Sequence, residues 1–183
     1  MASFSVGDAR KVDFPDSFAD AVLLFGPMYH LTEQKDRLKV LSEAHRVLKP
    51  NGIVFVAAIS RFASFMDGFY KQFLHDPIFT QMIFQDLTTG QHKNLSDNLS
   101  YFTTAYFHLP NELQEELVKI GFKNIEVKSI EGPLWGHNKI DFFLEDDEKQ
   151  RVLMDFLEKI ENEKSIIGAS SHIMAIGRKQ AKD

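Results

Sequence analysis

Val47-Leu48-Lys49-Pro50-Asn51-Gly52, followed at once by Ile53-Val54-Phe55-Val56-Ala57-Ala58-Ile59, is the stretch whose reading decides the fold. Pro50 cannot extend a helix, and Asn51-Gly52 supplies a turn able to take positive φ. The run behind the turn is continuous and apolar, the pattern of a strand buried on both faces. Towards the amino terminus, Leu38, Val40, Leu41, Ala44, Val47 and Leu48 form a helical stripe, which leaves Lys35, Arg37, Lys39 and Glu43 mainly outside. Thr32 is the expected cap of that helix, with Glu33 in its first turn favouring the dipole. Earlier still stand the turn Gly26-Pro27-Met28-Tyr29-His30 and a second apolar run, Asp20 to Phe25, again read as a strand covered on both faces. Strand, turn, helix, strand is the order of a parallel pair joined by a right-handed crossover. Its ligand site lies at the carboxyl ends of the strands.

Beyond Ile59 the pattern changes. Phe65, Met66, Phe69, Tyr70, Phe73 and Leu74 recur at helical spacing and predict a helix over 62–74, broken by Asp76-Pro77. A second short helix is expected over 78–87, then a polar loop over 88–94. Residues 61–108 therefore read as a helical lid inserted after a central strand, within a single domain spanning 1–183. Many of the seventeen phenylalanines fall here, as core and lid packing or as an apolar pocket wall. Pro110 suits a helix start and Gly121 a helix end. Asn124 to Ile130 alternates as a strand does, Asp146-Asp147-Glu148 open a further helix, and Ser170 to Gly177 read as a closing strand.

Composition narrows the function classes. A net charge of −5 argues against a nucleic-acid backbone as principal partner. The absence of cysteine excludes disulfides, thiolate metal sites and thiol nucleophiles. Neither a signal-peptide pattern nor an apolar run long enough for a bilayer is seen, so a cytoplasmic location is the expectation. The seven histidines show no ligand spacing, with His30, His92, His108 and His137 read as polar loop positions, and no serine sits in a Gly-x-Ser-x-Gly elbow.

In order and spacing, five pieces resemble the class I S-adenosylmethionine-dependent methyltransferases, closest to the small-molecule and ubiquinone-biosynthesis type. They are Gly7-Asp8-Ala9, Phe14 to Val22, Gly26 to Leu31, Glu43 to Gly52, and the strand that follows. The resemblance implies an α/β, Rossmann-like fold, mostly parallel, with an antiparallel carboxyl-terminal strand. It implies S-adenosyl-L-methionine as cofactor and a small-molecule methyl acceptor. By resemblance, Asp8 accepts from the adenine amino group and the Ala9 N–H reaches a ring nitrogen, while Leu24, Phe25 and Gly26 meet the methionine part. Tyr29, His30, Arg61, Phe62 and Tyr106 are candidate acceptor contacts, and His30, Tyr106 and His108 are candidate bases. The Gly-rich loop and the second-strand acid of the family are not in this sequence, which predicts a domain lacking its first strand–helix units and methyl transfer only where that part is supplied. That leaves an apolar strand edge through which copies could pair. It also leaves open an alternative: an inactive fragment persisting as a folded or partner-binding module. A dehydrogenase-like nucleotide enzyme is a third reading, against which the Val47–Gly52 turn weighs.

Overall fold

The computed structural model describes residues 4–134, 136–137 and 140–181. Its frame is β1 (Ala19–Phe25), the short α1 (Pro27–His30), α2 (Gln34–Val47) and β2 (Leu48–Ser60). After these come α3 (Ala63–Tyr70), α4 (Pro77–Thr89), β3 (Gln91–His92), β4 (Ala105–His108) and α5 (Pro110–Ile120). β5 (Lys123–Ser129), α6 (Ile140–Leu144), α7 (Asp147–Ile160) and β6 (His172–Arg178) complete it. β1 pairs parallel to β2, and β6 inserts antiparallel between β2 and β5. The α/β fold expected from the sequence is the observed one, with its antiparallel last strand.

The core lies on one face of this sheet. Val54, Val56 and Ala58 of β2, with Ile173 and Ala175 of β6, pack under Val40, Leu41 and Ala44 of α2 and Leu113 and Leu117 of α5. On the opposite face, Ile59 packs with Ala63, Ala105, Phe107 and Tyr29. β4 pairs with β2 at Ile59 and Ser60, just past the residues that β1 occupies, so it continues that edge beyond the point where β1 turns away.

Several expectations are corrected. β1 is covered on one face only: Leu24 is buried, but Leu23 and Phe25 are exposed, because helices α2 and α5 pack on the Leu24 side alone. Glu33, not Thr32, is the cap position of α2, and no side chain caps it; the Thr32 carbonyl instead accepts from Arg37 and Gln91. Arg37, placed outside by the stripe, is fully buried. The 62–74 helix stops at Tyr70, where Gln72 turns left-handed (φ 61°), and resumes as a 3₁₀ turn. The 88–94 loop contains β3, hydrogen-bonded to β4. His92 and His108, read as loop positions, are buried in strands.

Candidate functional site at the carboxyl edge of the sheet

The crossover geometry sets the site. β1 runs out to Phe25, Gly26 turns the chain, and α2 returns it, so the amino end of α2 lies at the carboxyl edge. Gly26 takes φ 151° and ψ −55°, a conformation L side chains rarely adopt. Residues 8–16 run along α2. Arg46 donates to the carbonyls of Val12 and Phe14, Glu43 accepts from the Val12 N–H, and Arg10 reaches Asp36 in the first helical turn. That last contact brings Asp8 to the carboxyl edge, because Arg10 also holds Asp8.

Asp8 is exposed, and both its oxygens accept from the Arg10 side chain at 2.7–3.2 Å. The Arg10 side-chain bonds, then its backbone N–H, hold the Asp8 carboxyl down at about 2. No hydrogen bond from the Ala9 N–H is made among the described residues. An ionised acceptor therefore stands beside an open donor, the pair an aminopurine edge requires, and the residues present fit the adenine end of the cofactor. Arg10 shares the carboxylate, a departure with consequences for affinity.

A cavity of about 410 Å³ opens at the end of β2, beneath α3 and α4. Its apolar wall includes Ile59, Ala63, Phe79 and Phe107, and its polar groups include Asp67, Lys71 and His172. Tyr29 links it to the Gly26 turn: the residue lines the cavity, and its hydroxyl lies 4.0 Å from where a Gly26 Cβ would stand. The tyrosine turn is fastened from below. Arg37 donates to the carbonyls of Leu31 and Thr32 at 3.1 and 2.8 Å and forms a buried ion pair with Glu116 at 2.8 Å.

The structure places these sequence-derived candidates in three locations. Gly26 and Tyr29 adjoin the cavity, with His30 exposed beside Tyr29, its ring 4.7 Å away. Tyr106 and His108 point the other way, because alternation along β4 sends Ala105 and Phe107 to the cavity face. The Tyr106 ring lies 3.7 Å under the Arg37 guanidinium. His108 is fully buried, with Nε2 3.5 Å from Glu116 and neither nitrogen hydrogen-bonded. Burial pushes the His108 imidazole below its usual range, against the opposing pull of Glu116. Arg61 is buried, ion-paired to Glu112 at 2.6 Å and bonded to the Phe107 carbonyl at 2.8 Å. Phe62 lies in a separate groove beside Leu109 and Gly168.

His172 and the Glu131 behind it were not singled out from the sequence. The signal was topological: a last strand antiparallel to β2 must begin at the carboxyl edge, which puts its first residue in the site. Among the described residues no group of histidine and acidic side chains could hold a metal ion, and no helix is long and apolar enough to cross a membrane.

Comparison with known proteins agrees with this frame. A family model described as a methyltransferase domain matches residues 2–56. A ubiquinone/menaquinone biosynthesis C-methyltransferase of Chromobacterium violaceum is 27% identical over 132 residues, covering 70% of this chain and 49% of its own length. The chain spans about half the length of the curated relatives it matches. An S-adenosylmethionine-dependent methyltransferase of Methanosarcina mazei superposes with a TM-score of 0.54 at 19% identity, covering 100% of this chain and 69% of that one. One of Thermotoga maritima, described as a possible histamine N-methyltransferase, gives 0.52 at 18% identity, covering 95% and 62%. Residues 2–56 thus match a methyltransferase domain, the chain resembles ubiquinone/menaquinone biosynthesis C-methyltransferases over 132 residues, and its fold is that of solved S-adenosylmethionine-dependent methyltransferases.

Proposed function

We propose that this chain serves S-adenosylmethionine-dependent methyl transfer to a small molecule, supplying the adenine edge, the Gly26 turn and the acceptor cavity. The observation that carries the reading is the adjacency of the Gly26 turn and the 410 Å³ cavity across Tyr29. The cofactor supplies an activated methyl group; the protein's task is to align the acceptor with it in a space that excludes water. Asp8 accepts from the adenine amino group, the Ala9 N–H donates to the ring, and the backbone of Leu24 to Gly26 meets the methionine end. Segment 61–108 forms the acceptor wall and the lid over it, with Phe79, Phe102 and Phe107 as its apolar lining. The apolar lining suits a mostly hydrophobic acceptor, consistent with the relative named for ubiquinone and menaquinone biosynthesis.

Asp8→Ala tests the reading. A hydrogen bond to a charged acceptor is worth about 1.5–3 kcal/mol, so calorimetric titration with S-adenosylmethionine should show roughly ten- to a hundred-fold weaker binding. Unchanged affinity would assign Asp8 to its Arg10 turn alone. A second reading, a folded module that binds a partner without catalysis, is favoured by one observation: Leu23 and Phe25 are exposed on a strand with one described neighbour.

A further inference from the structure

The cavity wall carries one imidazole oriented by a carboxylate and otherwise open. Pairing of β6 with β2 sets His172 opposite Ile59. His172 Nδ1 is hydrogen-bonded to Glu131 Oε1, while Glu131 Oε2 accepts from the His172 backbone N–H at 2.9 Å and the Ser170 hydroxyl at 2.8 Å. Ser170 is fully buried and in turn accepts from the N–H groups of Glu131 and Gly132 at 3.1 and 3.2 Å. Burial opposes ionisation of Glu131, but the bonds from His172 and Ser170 prevail and hold it at about 2. An ionised carboxylate only accepts, so Nδ1 carries the proton and the lone pair of the neutral ring sits on Nε2. Nε2 makes no hydrogen bond among the described residues.

The charged groups of the wall and its other imidazole are engaged, as is the Tyr101 hydroxyl. Lys71 pairs with Asp67 at 2.9 Å. His92 has one nitrogen on Asp86 and the other on the Tyr101 carbonyl, both at 2.8 Å. The Tyr101 hydroxyl donates to Asp76 at 2.6 Å. Of the imidazoles on the described wall, His172 alone offers an unbonded nitrogen.

We propose that His172 Nε2 accepts the proton of a weakly acidic hydroxyl on the methyl acceptor, with Glu131 as its positioning residue. The proposal rests on the methyl-transfer reading. In the step, the acceptor O–H bond breaks, its electron pair stays on oxygen, and an N–H bond forms at Nε2. The Glu131 carboxylate balances the resulting imidazolium, and the oxygen is left as the stronger nucleophile. The apolar body of the acceptor lies against Ile59, Phe79 and Phe107.

The test uses 4-nitrophenol, whose visible absorbance separates phenol from phenolate, titrated into the protein without cofactor. In the parent protein the bound probe should ionise with a constant raised about tenfold over its value in water. His172→Gln should bind the probe and lose that shift. Nitrogen-15 spectra of the labelled imidazole should show Nε2 unprotonated in the neutral ring, and Glu131→Gln should bring in the other tautomer. No shift with the parent, the same shift with His172→Gln, or a protonated Nε2 in the neutral ring would each overturn the assignment. Should Glu131→Gln fail to fold, the other two measurements still decide it. Since no arm contains S-adenosylmethionine, failure here would leave the methyl-transfer reading standing with a different base. Failure of cofactor binding would leave this dyad intact.

Discussion

Arg37 shows what a single side chain does for the site. Its guanidinium joins α2 to Glu116 of α5 in a buried pair and holds the half-buried carbonyls that end the Tyr29 turn. Removing one partner of a buried pair leaves the other charge uncompensated, so Arg37→Ala should lower stability by about 3–5 kcal/mol in urea unfolding. Replacing Arg37 and Glu116 together by Met should recover much of that loss. A cost under about 1 kcal/mol for Arg37→Ala would mean that water enters and solvates Glu116. The sequence could not show this burial, because the partner lies 79 residues away and a charged side chain within a polar stripe looks solvated. Asp8, in contrast, was a candidate by resemblance, from the place of Gly7-Asp8-Ala9 ahead of the β1–α2–β2 pieces. Its capture by Arg10 was not legible, since the pairing depends on a tight turn between the two.

Among the elements, the β1–α2–β2 crossover could be read directly from apolar runs, the helical stripe and the Pro50-Asn51-Gly52 stop; β6 was legible as a closing strand, and its antiparallel direction came from the family resemblance. Asn51 takes the positive φ that the turn required (65°). The β3–β4 hairpin could not be read. Its strands hold two and four residues, and what makes β4 a strand is its pairing with β2, a tertiary contact that no local pattern announces. Gly90 is the joint that lets this hairpin close. It caps α4 with φ 73°, its carbonyl accepts from the Phe107 N–H, and an added Cβ would lie 2.6 Å from the Phe107 carbonyl oxygen. Gly90→Ala should therefore destabilise by more than about 1 kcal/mol, with the α4–β4 region losing amide-exchange protection first. Full stability in that variant would show that β4 docks on β2 without the hairpin.

For the whole molecule, the sheet has two unequal faces, and β1 carries one strand neighbour among the described residues. A long apolar edge invites another chain, and charge on the edge discourages it. We expect sedimentation to show concentration-dependent association of this chain, reduced by Leu23→Lys; a strictly monomeric parent at high micromolar concentration would refute pairing through β1. The central claim, that the carboxyl edge holds the cofactor beside the acceptor cavity, is tested most directly by backbone amide spectra recorded during titration with S-adenosylhomocysteine. Mapping of this kind detects weak binding as well as tight. The account predicts shifts concentrated at Asp8 to Arg10 and Leu24 to His30, with smaller ones at the Ile59 end of β2. Shifts confined to α6 and α7, or none at Asp8, Ala9 and Gly26 at saturating ligand, would contradict it.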